Sequence, residues 1–246
     1  MNFIKNKLSP NQKRIISFFR YSFFRINWFK TIYFNLKALP FREALKIPIV
    51  VGRNVRLRNI GKIILGCKAE PALVSIGVIY IDGWEAANEG VLIFNNKGTI
   101  VFNGLAKFYP ACKIFVNGNL TMGGRNNIGS RTCIICYNNI SIGNNTGCSW
   151  DCSFSDTNFH PLKDLIGNRY LKQNGKIVVG DNVFIGNHTS ISMNTNIPNG
   201  CVVSAYSKVS GSFKREGENL LIGTPIATVL DKGYQMEDFN QFKPLY

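Results

Sequence analysis

The stretch that decides the fold runs from Val179 to Ser210 and reads VGDNVFIGNHTSISMNTNIPNGCVVSAYSKVS. An aliphatic residue occupies every sixth position: Val179, Ile185, Ile191, Ile197, Val203 and Val209. The residue that follows each of them is small or compatible with a turn: Gly180, Gly186, Ser192, Pro198, Ser204 and Ser210. A period of six matches neither an α-helix nor a continuing strand. It is typical of a β-helix, in which the chain turns a corner every six residues and stacked coils complete one another's backbone hydrogen bonds.

The same spacing occurs upstream, in two registers that differ by two residues. The first contains Val116, Met122, Ile128 and Ile134, and the second contains Ile142, Cys148 and Phe154. The gap from Phe154 to Val179 is 25 residues, one more than a multiple of six, and polar residues stand where core aliphatics are expected. The break predicts a loop extruded from the solenoid over residues 155–178. Long loops on rigid scaffolds are where functional residues concentrate.

Residues 47–115 show the strand rhythm without the strict spacing. Short β-branched runs follow one another, separated by Gly and Asn, and they are too close together to leave room for helices. The sequence therefore predicts an all-β solenoid over residues 47–230, with residues 231–246 as a C-terminal tail.

Residues 1–46 form a segment of different character. They carry ten basic residues and a single acid, Glu43, within a chain of net charge +15. Apolar and aromatic residues recur at spacings of three and four between Asn11 and Leu39, which predicts amphipathic helix, and Pro40 and Pro48 close the segment. Two interpretations fit: residues 1–40 contact the inner face of the membrane peripherally, or the helix packs on the main body with a solvated basic face. Nucleic acid is not expected as a partner, because no recognised nucleic-acid module accompanies the charge.

Composition narrows the class of protein. No run of 18 uncharged apolar residues occurs, so a membrane span is not expected, and the start of the chain lacks the apolar region of a secretory signal. The odd number of cysteines, seven, predicts reduced thiols and a cytoplasmic location. Cys133 and Cys136 have the spacing of a redox or zinc motif, but Ile134 and Ile135 between them favour a buried strand.

One of the two histidines lies in the predicted loop. His160 stands within Ser-Asp-Thr-Asn-Phe-His-Pro-Leu, residues 155–162, and Pro161 is expected to stiffen the backbone that presents it. Imidazole accepts a proton near neutral pH. A general base of this kind activates an alcohol for attack on a thioester. Taken alone, the residue could equally be an exposed loop histidine without a function.

The motif does not stand alone. Asp-x-x-x-His-Pro at 156–161 is followed by the hexads of residues 175–186 and by the closing Gly-Thr-Pro of residues 223–225, and this order resembles the hexapeptide-repeat O-acetyltransferases. That family includes maltose, galactoside and bacterial capsular or exopolysaccharide acetyltransferases. The resemblance is dense over residues 116–230, and the N-terminal segment is most similar to the polysaccharide-modifying branch.

The resemblance implies a fold, an assembly and a donor. The solenoid would be a left-handed parallel β-helix, and the protein a homotrimer with active sites between adjacent subunits. Acetyl-CoA would be the acyl donor and a saccharide the acceptor, with no metal required. His160 would be the general base, and Asp156 would orient it or meet the acceptor sugar.

The resemblance also implies a donor site along the solenoid. The pantetheine arm of coenzyme A would contact backbone near Gly186 and Asn187 and near Ser204 and Ala205, and the N–H of Asn187 would face the thioester oxygen. His188 matches a histidine that some members carry beside that position, although a polar residue at a coil corner is the favoured interpretation.

The chain departs from the family pattern at two places in the donor site. Phe184 replaces the usual tryptophan, and residues 226–230 lack the cations that commonly follow the Gly-x-Pro motif. The candidates for binding the nucleotide phosphates are therefore Lys208, Lys214 and Arg215.

The sequence thus favours an O-acetyltransferase acting on a sugar hydroxyl of a surface polysaccharide or its precursor. An N-acyltransferase acting on an amino sugar would use the same donor groove and the same base. A catalytically idle β-helix scaffold is the alternative of a different class, because a solenoid by itself specifies no activity. The acceptor sugar, the position modified and the length of the acyl group stay open.

Overall fold

The computed structural model describes residues 9–79, 89–160, 162–166, 168–223 and 228–232. Over these ranges the chain is a left-handed parallel β-helix whose walls are three sheets, as the six-residue period predicts. We number the sheets 1 to 3 in the order in which each coil visits them.

Sheet 1 has nine strands, in spatial order β1 (Ile49–Val51), β4 (Val74–Ile76), β7 (Ala106–Phe108), β10 (Asn126–Ile128), β13 (Gly147–Cys148), β18 (Phe184–Ile185), β21 (Val202–Val203), β23 (Leu220–Gly223) and β24 (Thr228–Lys232). Its strands are parallel except for β24, which returns antiparallel to β23.

Sheet 2 has seven parallel strands: β2 (Val55–Asn59), β5 (Leu92–Asn96), β8 (Lys113–Val116), β11 (Cys133–Cys136), β14 (Ser153–Ser155), β19 (Ser190–Ser192) and β22 (Lys208–Val209). Sheet 3 has six: β3 (Lys62–Leu65), β6 (Thr99–Phe102), β9 (Asn119–Met122), β12 (Asn139–Ile142), β17 (Lys176–Val179) and β20 (Thr195–Ile197). The remaining two strands, β15 (Lys163–Asp164) and β16 (Arg169–Tyr170), form a hairpin outside the walls.

Strand pairing explains the two sequence registers. Asn119 pairs with Asn139, so a coil in the middle of the solenoid is 20 residues long, whereas Ile177 pairs with Thr195, so a late coil is 18 residues long. In the longer coils the sheet 2 strand buries two side chains instead of one, as β11 does with Ile134 and Cys136. The two-residue shift is therefore a regular feature of the 20-residue coils and not an interruption of the solenoid.

The aliphatics of the repeat stack into columns inside the solenoid. Ile134, Phe154, Ile191 and Val209 pair in sequence across sheet 2 and are all buried. Burying side chains of this size stabilises the fold by about 1.5–3 kcal/mol each. The strand interpretation of the Cys-x-x-Cys motif is confirmed, because Cys136 points into the core while Cys133 lies on the opposite face of β11.

The predicted amphipathic segment forms two main helices, α1 (Pro10–Ser22) and α2 (Trp28–Ala38), followed by the short α3 (Phe41–Ala44). Ser9 and Gln12 cap the start of α1 reciprocally. The helix breaks between α1 and α2, where a single 3-10 turn leads to Ile26, which forms an antiparallel bridge with Gly52. None of the described helices is long and apolar enough to cross a membrane.

Helix α2 covers the first strand of sheet 1. The amide of the buried Asn35 donates to the carbonyl of Ile49 at 2.6 Å and its oxygen accepts the N–H of Ile49 at 3.1 Å. The hydroxyl oxygen of Thr31 accepts the N–H of Val51 at 3.0 Å. An uncovered strand edge is a template for unwanted pairing. Packing on the main body, one of the two interpretations of this segment, therefore holds for this face of α2.

Replacing Asn35 with alanine is expected to lower the free energy of unfolding by about 2–4 kcal/mol, because both buried backbone groups of Ile49 lose their partner. Urea unfolding measures the loss. The matched control is Asn59→Ala, which removes an exposed amide bonded to Asn95 and is expected to change stability by about 0.5 kcal/mol or less. Equal losses in the two variants would contradict this role for Asn35.

Candidate active site

The break in the repeat is a loop, as predicted. Strand β14 ends at Ser155 and β17 begins at Lys176, so the loop spans residues 156–175, within the predicted 155–178. Phe154 pairs with Ile191, a step of 37 residues where a late coil takes 18. The solenoid thus continues unbroken above and below the insertion, whose far end is the β15–β16 hairpin.

Asp156 fixes the base of the loop. Its carboxylate is fully buried and accepts the backbone N–H groups of Tyr137 and Asn138 at 2.7 and 2.8 Å. Its carbonyl accepts the N–H of Gly175 at 2.7 Å, which closes the two ends of the loop on each other. Both of its oxygens accept hydrogen bonds from the preceding coil, and no described contact joins them to the imidazole of His160. Asp156 is therefore a positioning residue in this structure.

His160 lies on the exposed part of the loop. Its backbone N–H donates to the carbonyl of Asn158 at 2.8 Å, and its side chain is exposed to solvent. The preceding residue, Phe159, has a positive φ of 61° and its ring packs edge-on against Tyr137, with ring centroids 5.4 Å apart. The side-chain amide of Gln173 donates to the carbonyl of Phe159. The backbone next to the imidazole is thus held on two sides, while Pro161 lies outside the described residues.

The four residues predicted to contact the pantetheine arm lie together. Phe184 pairs with Val202, so Gly186 and Asn187 stack directly on Ser204 and Ala205 at the corner between sheets 1 and 2. A Cβ on Gly186 would lie 2.5 Å from the backbone nitrogen of Ala205, so only glycine fits between these coils.

The backbone N–H of Asn187 takes no part in the described hydrogen bonds between coils. Its carbonyl accepts the N–H of Tyr206 at 2.8 Å, but its N–H donates to no described residue. Asn187 is half-buried. A fixed and unengaged donor of this kind can stabilise a developing oxyanion.

Within one chain, this corner and the loop lie at opposite ends of the strands of sheet 2. Asn187 precedes β19, whereas His160 follows the neighbouring strand β14. A three-residue strand such as β19 spans on the order of 10 Å. The structure therefore does not bring His160 and Asn187 together within a single copy of the chain.

The candidate phosphate ligands are also separated. Lys208 is exposed on β22 of sheet 2, three residues after Ala205. Lys214 borders a cavity of about 320 Å³ beside sheet 3, together with Val178 and Pro198, and the neighbouring Arg215 is exposed. Only Lys208 is next to the pantetheine corner. The predicted closing motif is described only at Gly223, which ends β23, because residues 224–227 lie outside the described ranges.

A column of charged and aromatic side chains occupies the same corner. Arg131 donates two hydrogen bonds to Asp151, at 2.8 and 2.5 Å, and Nε2 of His188 lies 3.8 Å from the same carboxylate. The ring of His188 stacks on Tyr206, with centroids 4.7 Å apart and planes 16° apart. All four residues have positive φ, which places them at equivalent points of successive coils.

Sequence reasoning singled out only His188 from this column. A signal was present, because Arg131 and Asp151 are separated by one 20-residue coil and His188 and Tyr206 by one 18-residue coil. Recognising it required the coil lengths, which a six-residue period alone does not supply. His188 is thus partnered by a carboxylate and a ring, which is more than a solvated corner residue would have.

Asp151 is expected to titrate below an ordinary aspartate, because hydrogen bonds from Arg131 lower its pKa and the charge of His188 acts in the same direction. A lowered pKa in the folded state stabilises the fold above the ordinary value of 3.8, and this contribution is lost as the pH falls through the folded value. Carboxyl NMR titration should show the pKa of Asp151 rising in Arg131→Met. Arg169→Met, which removes an exposed partner of Asp164, is the control and should leave it unchanged.

Neither a metal-binding group nor a disulfide bond occurs among the described residues. No group of three or more His, Cys, Asp or Glu residues that could hold a metal ion occurs among those residues. The seven cysteines are free thiols, and five of them are buried.

Comparison with known proteins found a similar sequence and solved structures of similar fold. No protein-family model matches the chain. An uncharacterized 24.8 kDa protein in the cps region of Klebsiella pneumoniae is 27% identical over 201 residues, which cover 78% of this chain and 83% of that protein. The polySia-specific acetyltransferase NeuO superimposes with a TM-score of 0.50 at 16% identity, covering 78% of this chain and 80% of that one. The chain shares the fold of a known acetyltransferase.

A second solved structure is more distant. AntD of Bacillus cereus, an N-acyltransferase solved with dTDP and 3-hydroxybutyryl-CoA, has a TM-score of 0.43 at 15% identity, covering 80% of this chain and 90% of that one. The three parallel sheets and the fold shared with NeuO confirm the left-handed parallel β-helix that the resemblance to hexapeptide-repeat acetyltransferases implies. A specific likeness to the maltose and galactoside enzymes is not, and stays a prediction.

Proposed function

We propose that the protein transfers an acetyl group from acetyl-CoA to a hydroxyl of a surface polysaccharide or its precursor, with His160 as the general base. The observation that carries this proposal is the long insertion at residues 156–175, which presents an exposed imidazole on a loop anchored by a buried carboxylate. A scaffold would need neither the insertion nor the anchoring. NeuO, which shares the fold, is a polySia-specific acetyltransferase, and this supports a saccharide acceptor.

The chemistry follows from the two groups described. The acceptor hydroxyl attacks the thioester carbon while His160 takes its proton, and the carbonyl oxygen becomes an oxyanion that the N–H of Asn187 can bind. The tetrahedral intermediate then collapses, the carbon–sulfur bond breaks, and the departing thiolate takes a proton from the imidazolium. The products are the acetyl ester and coenzyme A, and His160 returns to its neutral form.

The site requires two copies of the chain. His160 and the Asn187 corner lie at opposite ends of the strands of sheet 2, so the loop of one subunit would meet the corner of the next in the homotrimer that the family resemblance implies. The hairpin end of the loop supports this arrangement. Leu165 is 84% exposed and Ile166 and Tyr170 are also exposed, which a single copy leaves without a partner.

The donor would lie along the corner between sheets 1 and 2. Its pantetheine arm would pass Gly186 and Ser204, where the absence of large side chains leaves backbone accessible, and Lys208 would meet its phosphates. Lys214 borders a cavity on another face and is the weaker candidate. The proposal also places the enzyme in the cytoplasm, with the acceptor precursor at the inner face of the membrane, which residues 1–40 would contact.

Mass spectrometry of the product tests the reaction. With acetyl-CoA and a saccharide that carries hydroxyl groups but no amino group, the acceptor is expected to gain one acetyl group and release one coenzyme A thiol. An amino sugar acceptor provides the comparison, because nitrogen and oxygen transfer would use the same base and groove. Acetylation of the amino sugar alone would replace the proposal by N-acyl transfer, and no product from either would favour a scaffold.

A further inference from the structure

The outward face of α2 is an apolar stripe. Phe29, Ile32, Tyr33 and Leu36 follow the spacing of one helical face, and each is at least half exposed, Phe29 by 83%. The inner face of the same helix is already used by Thr31 and Asn35 against the first strand. We call these four residues the α2 stripe. Helices that merely cover a sheet edge expose mainly polar side chains on the outside, whereas four of the exposed side chains of α2 are apolar or aromatic.

The apolar surface continues beyond the helix. Phe24 precedes α2 and Phe41 and Leu45 follow it, all exposed. Surface aromatics scattered singly need no explanation, but a contiguous set on one end of a protein indicates a binding surface.

A basic groove runs beside the α2 stripe. Two adjoining cavities of about 490 and 480 Å³ lie between α2 and the first coil, and both are bordered by Tyr33 and Leu57. Six cations line them: Lys30, Lys37, Arg53, Arg56, Arg58 and Lys97. No acidic side chain is among the described residues that line either cavity.

The three arginines of the groove, Arg53, Arg56 and Arg58, are exposed and have no carboxylate partner among the described residues. Lys30 donates to the carbonyls of Arg53 and Val55, which holds it at the groove without neutralising it. Six cations that line one concave surface favour a phosphate-bearing ligand.

The occupant that fits both features is an anionic lipid surface. A second copy of the chain would bring the same excess of cations against this face, because residues 1–46 carry ten basic residues and one acid. An interfacial helix buries its apolar face at the boundary of the acyl chains while flanking cations meet lipid phosphates, and this is the arrangement of the α2 stripe and the basic groove.

We propose that this end of the solenoid docks on an anionic bilayer, with the α2 stripe in the interface and lipid phosphates in the basic groove. The docking gives the membrane contact of the proposed function a defined surface and a ligand chemistry. The first strand of sheet 2, β2, is four strands from β14, so the His160 loop would stand about 19 Å along the solenoid from the docked end. In a cyclic trimer, all three docking ends would face the same side.

Vesicle flotation tests the docking with the full chain. Wild-type protein is expected to float with phosphatidylcholine vesicles containing about one-third phosphatidylglycerol. Arg56→Gln/Arg58→Gln should weaken that binding about 30-fold, because each cation near an anionic surface contributes about fivefold. Phe29→Ser/Leu36→Ser should weaken it about 100-fold or more, since two exposed apolar side chains no longer enter the interface.

The matched control is Lys113→Gln/Lys176→Gln. Like Arg56 and Arg58, these two lysines are exposed cations on strands, but they line neither cavity. Their replacement should change binding by about threefold or less. Equal losses in the groove and control variants would overturn the proposal. So would absence of wild-type flotation, and a change of oligomeric state in Phe29→Ser/Leu36→Ser would then assign the stripe to a second copy.

Acyl transfer to a water-soluble acceptor, measured on the same proteins, separates the two proposals. If the wild-type protein does not float but transfers the acyl group, only the docking proposal fails. If it floats but shows no acyl transfer, only the proposed function fails.

Discussion

Replacing His160 with alanine is expected to lower kcat for acetyl transfer about 10²- to 10⁴-fold, the usual contribution of a general base. The imidazole is exposed and only the backbone of this residue is hydrogen-bonded, so the fold and the donor site should be unaffected. KM for acetyl-CoA is therefore expected to change by about threefold or less. Steady-state release of the coenzyme A thiol measures both constants.

Lys172→Ala is the matched control for this variant. Lys172 is an exposed residue of the same loop, and its loss should leave kcat within about twofold of wild type. If His160→Ala retained wild-type kcat, the loop would have no base and the proposed mechanism would be refuted.

Replacing Asp156 with alanine is expected to lower the free energy of unfolding by about 3 kcal/mol or more. The backbone N–H groups of Tyr137 and Asn138 would lose the buried carboxylate that accepts their hydrogen bonds, and hydrogen bonds to charged groups contribute about 1.5–3 kcal/mol each. The melting temperature should fall by about 6–12 °C in a chain of this length. Calorimetric melting measures the change. The melting temperature of Asp156→Asn, which keeps one acceptor oxygen, should lie between those of wild type and Asp156→Ala.

Asp164→Ala is the control for this variant, because Asp164 belongs to the same loop but pairs with the exposed Arg169 at 3.4 Å. Exposed pairs contribute about 1 kcal/mol or less. A stable Asp156→Ala protein with lost activity would return Asp156 to the catalytic role that the family resemblance implies for it.

The solenoid was predictable from the sequence because its core is periodic. Each of the six aliphatics that recur at every sixth position from Val179 to Val209 is buried, and the small residue after it allows the corner. The lengths of the earlier coils were not predictable in the same way. Ile134 and Cys136 both face inward, and only strand pairing shows that two extra residues recur in each of these coils.

The loop and His160 were predictable because a local insertion interrupts a regular pattern. The burial of Asp156 was not predictable from the sequence, because it depends on which backbone N–H groups of the preceding coil lie beside its carboxylate. The column of Arg131, Asp151, His188 and Tyr206 escaped prediction for a related reason. Its members are neighbours across coils and distant in sequence, so the coil length has to be known first.

The orientation of the N-terminal helices lay beyond the sequence. Amphipathic spacing predicts one buried face, but the buried face of α2 carries Thr31 and Asn35, which serve the edge of β1. Phe34 is buried on that same face, whereas Phe29 and Tyr33 lie on the face left exposed. Polar side chains here face inward because the strand edge needs hydrogen-bond partners more than apolar contact.

The central claim is that the solenoid carries an acyl-CoA site and is not a bare scaffold. Isothermal titration of the full chain with acetyl-CoA tests it most directly, since the donor site lacks the cations that usually follow the Gly-x-Pro motif. The account predicts saturable binding of one acetyl-CoA per chain, weakened when Lys208 is replaced by glutamine. Absence of binding heat at millimolar acetyl-CoA would contradict it.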